Sequence, residues 1–357
     1  MLGKRRNNSG IILATVLWIV VILTILAVTL GRRTRVDVAL TRNAVGKIKA
    51  KYIATAGLVY ALDKIKQDSA NPDTQGVDTL FKRGVALKED QTAEEFFKDV
   101  AVGEGSFSIF FKEHKQGEPP VIHYGFQDEE SKIDLNGLTP NNYKIMVHLI
   151  TQFGHDEKIA ETIASAIVDW IDAGDEVFND PYGAEKDYYF GLEPAYACKN
   201  FPFDSIEEVR LVRAMTPEIF KDIKDYITIF PKEGRWLVNL DTASDVVLRA
   251  MARSLSGAAS NTTVEDADAL ANKILDYRKG DDRMDGTEDD RLADVNEINL
   301  NAKEKILYLL MAQQQTKVSN YLRIFVKGRL DDGLAQSSLE AVISRSDLAV
   351  VYWRREN

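Results

Sequence analysis

The chain has 357 residues, enough for roughly two domains of about 150 residues each, with 45% hydrophobic and 28% charged side chains. That mix excludes a wholly disordered, collagenous or many-span membrane protein. Fifty-five acidic residues against 45 basic ones leave a net charge of −10, which argues against broad contact with nucleic acid because phosphate neutralisation needs clustered Lys and Arg. The single cysteine, Cys198, can form no internal disulfide, so a disulfide-built miniprotein is also excluded.

A basic, polar stretch from Lys4 to Gly10 is followed by twenty residues without a charge, Ile11 to Leu30, which end at Arg32, Arg33 and Arg35. Twenty helical residues reach about 30 Å, the thickness of the hydrocarbon layer, so the run fits a bilayer-spanning helix. A cleaved secretory signal starts in the same way, but its apolar region is shorter and ends at a small-x-small site. No later run is apolar for long enough to span again. Basic residues flank both ends of the span, so its orientation follows from the short basic N-terminus staying cytoplasmic while the long acidic remainder is exported. Beyond the span, Val38, Ala39, Val45, Ile48, Tyr52, Ile53, Ala56, Val59, Tyr60 and Ile65 recur at three- and four-residue spacing. The pattern predicts one long amphipathic helix continuing from the span, or two helices with a break near Gly31.

The run Gly10-Ile11-Ile12-Leu13-Ala14-Thr15-Val16-Leu17-Trp18-Ile19-Val20-Val21 resembles the class III leader and mature start of type IV pilin-like proteins. The resemblance implies cleavage by prepilin peptidase after Gly10 and methylation of the new N-terminus at Ile11. Most pilins carry a glutamate at the fifth mature position, where this chain has Thr15. One minor subunit type characteristically lacks that glutamate, the K-type minor pseudopilin of type II secretion, also called the general secretion pathway protein K family. A buried glutamate in a bilayer needs a partner, and a subunit with nothing ahead of it in a filament needs no such residue. Later parts of the chain are similar to the same family: Asp128-Glu129-Glu130-Ser131-Lys132-Ile133-Asp134-Leu135-Asn136, Val168-Asp169-Trp170-Ile171-Asp172, Gly183-Ala184-Glu185 with Tyr188 and Tyr189, Asn239–Ala243, and the stretches Tyr321–Gly328 and Tyr352–Arg354.

In the soluble part, Asp68–Gly76 reads as a polar turn that closes the long helix. Gly105–Lys112 alternates as a strand, with Ile122–Phe126 as its neighbour, and Asn320–Lys327 and Leu348–Trp353 read as further strands. Helical periodicity fills the region between. Three echoes, Asp134-Leu135-Asn136, Asn239-Leu240-Asp241-Thr242 and Asn299-Leu300-Asn301, each place a hydrogen-bonding polar residue ahead of an apolar helix, and they read as helix caps. A helix-hairpin-helix nucleic-acid module can open on a similar turn, but the stretch after Asp241 lacks the glycine-rich hairpin such a module needs. The expected fold is α+β: a long N-terminal transmembrane helix and a pilin-like α/β core interrupted by a large, mainly helical insert. The expected division is a leader at 1–10, a span at 11–30, a first core part at 31–133, an insert at 134–317 and closing strands at 318–357.

Two acidic loops are candidates for metal. In the first, Asp172, Asp175, Asp180, Glu185 and Asp187 offer the hard oxygens that calcium takes from turn-rich backbone, and the family resemblance also implies calcium. In the second, Asp281, Asp285 and Asp289 invite comparison with an EF-hand, but counting from Asp281 puts Arg283 at the third loop position and Leu292 at the twelfth. The alternative for both loops is a solvated acidic turn. His114, His123, His148 and His155 show no compact ligand spacing, Cys198 has no histidine near it in sequence, and no hydrolase elbow, phosphate loop or dinucleotide fingerprint occurs.

The reading is a non-enzymatic assembly subunit with no catalytic residues. As the resemblance implies, it sits in the inner membrane with its large domain in the periplasm. Its partners would be prepilin peptidase, the major pseudopilin and the I- and J-type minor pseudopilins at the tip of a pseudopilus that supports export of folded proteins. A body this large on one stalk would clash with equivalent copies packed side by side, which also favours an end position. The competing reading is a singly anchored periplasmic sensor or hydrolase.

Overall fold

The computed structural model describes residues 9–72, 74, 78, 79, 85, 92–113, 119–257, 261–287 and 289–356. Leader residues 1–8, His114 and part of the turn expected at Asp68–Gly76 lie outside the described residues. In chain order the elements are α1 (Ser9–Ser69), α2 (Ala93–Phe97), β1 (Val100–Val102), β2 (Gly105–Glu113), β3 (Val121–Tyr124), β4 (Gln127–Asp128), β5 (Ile133–Asp134), α3 (Lys144–Thr151), α4 (Glu157–Ile171), α5 (Lys186–Phe190), α6 (Pro217–Ile223), β6 (Ile227–Thr228), β7 (Val238–Asn239), α7 (Asp245–Leu255), α8 (Val264–Arg278), α9 (Ala302–Ala312), β8 (Gln315–Thr316), β9 (Tyr321–Leu330), β10 (Gln336–Ser344) and β11 (Val350–Glu356).

α1 is one helix of 61 residues and runs through Gly31 without a break. Its apolar half is exposed on every side. There the hydroxyls of Thr15, Thr24 and Thr29 each donate to a backbone carbonyl one turn back, so that these three hydroxyls are satisfied within the helix. In its second half Ala50, Ile53, Ala54, Ala61 and Ile65 recur on one face and are buried against the sheet.

The sheet is antiparallel in the order β1-β2-β9-β10-β11, with β3 also paired to β2 and β4 paired to β9. Ile109 stands opposite Val326, and Ala341 opposite Ile324, so every second residue points at α1. Phe107, Ile109, Leu322, Ile324, Val326, Leu339 and Ala341 form that side of the core. Two glycines permit the close approach of helix and sheet. A Cβ on Gly57 would lie 2.4 Å from Val326 Cγ1, and one on Gly328 would lie 2.5 Å from the Ala54 amide nitrogen.

Between β4 and β9 the chain builds a second hydrophobic core from α3 to α9, centred on residues such as Ile145, Leu149, Ile163, Ile167, Trp170, Tyr189, Leu248, Leu270 and Met311. Two short parallel pairs, β5 with β6 and β7 with β8, frame it. The capping echoes divide. Asn301 caps α9 in a reciprocal box with Glu304. Asp134 caps the short 3-10 helix Leu135–Gly137 by accepting the Asn136 amide hydrogen, Asn239 instead accepts that of Asp241 at a tight turn, and Ser244 caps α7. A short polar side chain serves a turn as readily as a helix start, so the Asn239 stretch closes a turn.

The two cores meet at a buried polar seam. Glu129 accepts from Arg323, Lys132 and Thr228. Glu130 accepts the amide hydrogens of Asn320 and Tyr321 at 2.9 and 3.1 Å, and Asp128 accepts from the Asn239 side chain at 3.0 Å. Arg345 bridges Asp68 at the end of α1 and Asp78 at 2.7 Å each.

Candidate metal centre

The first acidic loop starts from α4, whose apolar stripe packs in the second core and whose N-terminus is capped by Asp156. Asp169 occupies the last turn of α4, and Asp172 is its C-terminal cap. The chain then loops out and returns at Glu185, the residue that opens α5. One oxygen each from Asp169, Asp172 and Glu185 lie within 4.8 Å of one another. Asp169 is fully buried: Oδ1 accepts the Phe178 amide at 2.8 Å and Oδ2 the Ala184 amide at 2.6 Å. Asp172 Oδ1 accepts the Gly174 amide at 2.8 Å.

Glu185 is the unusual member. It is 4% exposed, yet neither carboxylate oxygen has a hydrogen-bond partner. Burial, together with the neighbouring carboxylates Asp169, Asp172 and Asp175, pushes its carboxyl up to about 7. Burial likewise raises Asp169 to about 6, against the lowering effect of its two amide bonds. Three converging carboxylates with no cation between them are unfavourable unless one is protonated or a hard cation sits among them. The oxygen-only donor set suits calcium or magnesium, and the turn-rich loop suits the more flexible geometry of calcium.

Gly183 holds this geometry. A Cβ there would lie 2.2 Å from Asp169 Oδ2 and 2.3 Å from the Phe178 carbonyl oxygen. Cys198 lies behind the site with Sγ 3.7 Å from the Asp169 carbonyl oxygen, and burial pushes its thiol up to about 12, so it stays protonated.

Of the five carboxylates expected in this loop, the structure brings Asp172 and Glu185 together. Asp175 pairs with Lys186 at 2.7 Å, and Asp180 and Asp187 are exposed outside the triad. Asp169 was not among the expected ligands. The signal for it was the three-residue spacing to Asp172, which sets both carboxylates on one side of the last helical turn. In the second loop, Asp289 accepts the amide hydrogens of Asp281 and Asp282 and the Thr287 hydroxyl. Asp281 pairs with Arg291 at 2.6 Å, and Asp285 is exposed. Among the described residues, no group of three carboxylates able to hold a cation forms there. Gly10 and Ile11 are exposed at the start of α1, and the Thr15 hydroxyl donates to the carbonyls of Ile11 and Ile12 at 3.1 and 2.8 Å.

The family model described as type II secretion system (T2SS), protein K, matches residues 131–232. Type II secretion system protein K of Pseudomonas aeruginosa is 25% identical over 263 residues, which is 72% of each chain. The protein of the same name from Pectobacterium carotovorum is 21% identical over 68% of each chain, and that from Aeromonas hydrophila 32% identical over 103 residues. In sequence the chain is similar to the type II secretion protein K family. In fold it is similar to the crystal structure of the GspK-GspI-GspJ complex of enterotoxigenic Escherichia coli, with a TM-score of 0.59 at 17% identity, covering 91% of this chain and 99% of that one. The stretch that matches the protein K model includes Asp169, Asp172, Gly183 and Glu185, whereas the second acidic loop falls outside it.

Proposed function

We propose that this chain is a non-enzymatic minor pseudopilin that caps and helps to initiate a type II secretion pseudopilus. In this reading prepilin peptidase cuts after Gly10 and Ile11 becomes the methylated N-terminus. Ile11–Leu30 first lies in the inner membrane with the large domain in the periplasm, and later packs among the equivalent helices of the major pseudopilin and of the I- and J-type minor subunits. The observation that carries the reading is the build of the chain. A single uninterrupted helix bears an apolar half with no protein around it and a second half seated on a small sheet, and a helical body larger than that sheet is inserted between β4 and β9. Such a stalk can pack sideways into a filament, while the inserted body leaves no room for another subunit above it. In this reading the hydrogen bonds of the polar seam hold that body to the stalk.

Mass spectrometry of the protein from its native membrane tests the reading. A mature chain beginning at N-methylated Ile11 supports it, and a chain that retains the leader overturns it.

The triad Asp169, Asp172 and Glu185 belongs to the same proposal as a structural calcium site that locks the 172–185 loop to α4. Calorimetric titration with calcium should give binding and a raised melting temperature, and the absence of both would remove the site.

A further inference from the structure

Charge is divided unevenly along the chain. Residues 1–51 hold ten of the 45 basic residues and one of the 55 acidic ones, Asp37, so residues 52–357 hold 35 basic and 54 acidic residues, a net of −19. Seven of the ten cations lie on α1 beyond the apolar run: Arg32, Arg33, Arg35, Arg42, Lys47, Lys49 and Lys51. Two of these are used within the molecule, Arg42 at 3.3 Å from Asp332 and Lys49 at 2.5 Å from Glu104. Among the described residues, Arg32, Arg33 and Arg35 have no acidic partner, and the helix around them is exposed on all sides.

Their position along the helix is set by its rise. Arg32 to Arg35 lie about 3–8 Å beyond Leu30, the depth of the headgroup layer, which extends roughly 5–7 Å outside the hydrocarbon. Lys47 lies about 25 Å beyond Leu30, clear of that layer on an upright helix. Around the helix, Arg33 and Arg35 are about 160° apart. A neighbouring helix packed on one flank cannot meet both, whereas a lipid layer surrounds the helix.

We propose that Arg32, Arg33 and Arg35 form a collar that binds the phosphate groups of anionic phospholipids in the leaflet facing the large domain. The same lipids repel the body of net −19. Attraction at the collar and repulsion above it keep the unassembled subunit upright, with its head clear of the membrane. The inference rests on the reading of Ile11–Leu30 as a bilayer span.

The test uses the full chain in nanodiscs of phosphatidylcholine containing a minority of phosphatidylglycerol. The retained lipid is measured by mass spectrometry for the wild type, for R32Q/R33Q/R35Q and for K47Q/K51Q. Phosphatidylglycerol should be enriched about fivefold around the wild type relative to the bulk mixture. The enrichment should fall away in the triple arginine variant, fall with added salt, and persist in the double lysine variant. Equal lipid composition around the wild type and the triple variant would overturn the proposal. Competition by soluble glycerol phosphate would also overturn it, by reassigning the collar to free phosphate. If the triple variant keeps its lipid but loses co-purification with smaller pilin-like subunits, the arginines serve a protein partner instead. A chain that fails to enter discs of neutral lipid would sink the span itself, an outcome distinct from insertion without lipid preference.

Discussion

Arg323 donates to Glu129 through two hydrogen bonds, Nε to Oε1 at 2.7 Å and Nη2 to Oε2 at 3.0 Å, across 194 residues of sequence. Glu129 stands where the chain leaves the sheet and Arg323 where it has returned. Arg323 also donates to Glu340, and Lys132 to Glu129 at 2.9 Å. Replacing Glu129 with Ala leaves a buried guanidinium short of its partner, which typically costs about 3–5 kcal/mol. Denaturation followed by tryptophan fluorescence should show this loss. A second variant, Glu129→Gln with Arg323→Met, should be markedly more stable than Glu129→Ala, because it removes both charges together.

The same pair fixes a pH dependence. Burial alone would raise the Glu129 carboxyl, but Arg323 and Lys132 outweigh it and hold the group well below the usual carboxylate range. A carboxyl lowered in the folded state stabilises fully above its unfolded value, about 4.3 for glutamate, and loses that contribution as the pH falls further. Glu130 and Asp134 are shifted the other way by burial, so their contribution is present at low pH and lost as the pH rises. The melting-temperature gap between wild type and Glu129→Gln should therefore be constant near neutrality and shrink below about pH 4. A gap that widens toward acid would contradict the assignment.

Much of the stalk and sheet is legible in the sequence. The charge-free run, the helical spacing that continues through Ile65, and the alternation at β2, β9 and β11 all reflect local patterns that burial reinforces. β10 is harder to read, because Gln336-Ser337-Ser338 is polar and Glu340 interrupts the apolar residues between Leu339 and Ile343, so its strand character comes from pairing on both sides. The capping echoes were legible as polar punctuation, but whether each opens a helix or closes a turn depends on partners far along the chain, such as the Phe203 and Ile229 backbone held by Asn136, 67 and 93 residues away. The acidic loop stood out by composition. Its geometry did not, because acidic residues that are adjacent in sequence point apart once the chain turns, and Asp169 is brought to Glu185 only by the fold of the whole loop.

Gly57 offers a direct probe of how the stalk is seated. The Cβ of Gly57→Ala would press against Val326 Cγ1 and Phe107. Overpacking of this kind costs about 1–3 kcal/mol, and the helix must move off the sheet to relieve it. Combining Gly57→Ala with Val326→Ala removes the obstructing methyl groups and should recover part of the loss in thermal unfolding. If the double variant is worse by the full sum of the two single changes, the contact is not where the strain lies.

The carboxylate triad makes predictions of opposite sign with and without calcium. In a chelator, Glu185→Gln removes one of three converging charges and a buried carboxylate with no partner, so the variant should melt at or above the wild-type temperature. With calcium at a hundredfold excess over its Kd, the wild type gains about 3 kcal/mol that the variant cannot match, and the order should reverse. Gly183→Ala should fail in both conditions, because its Cβ displaces the Asp169 carboxylate and the Phe178 carbonyl together. Melting curves for the three proteins in chelator and in calcium separate the possibilities. A crossing between wild type and Glu185→Gln marks a cation held by the triad, whereas parallel shifts of all three would mean that calcium acts elsewhere on this acidic surface.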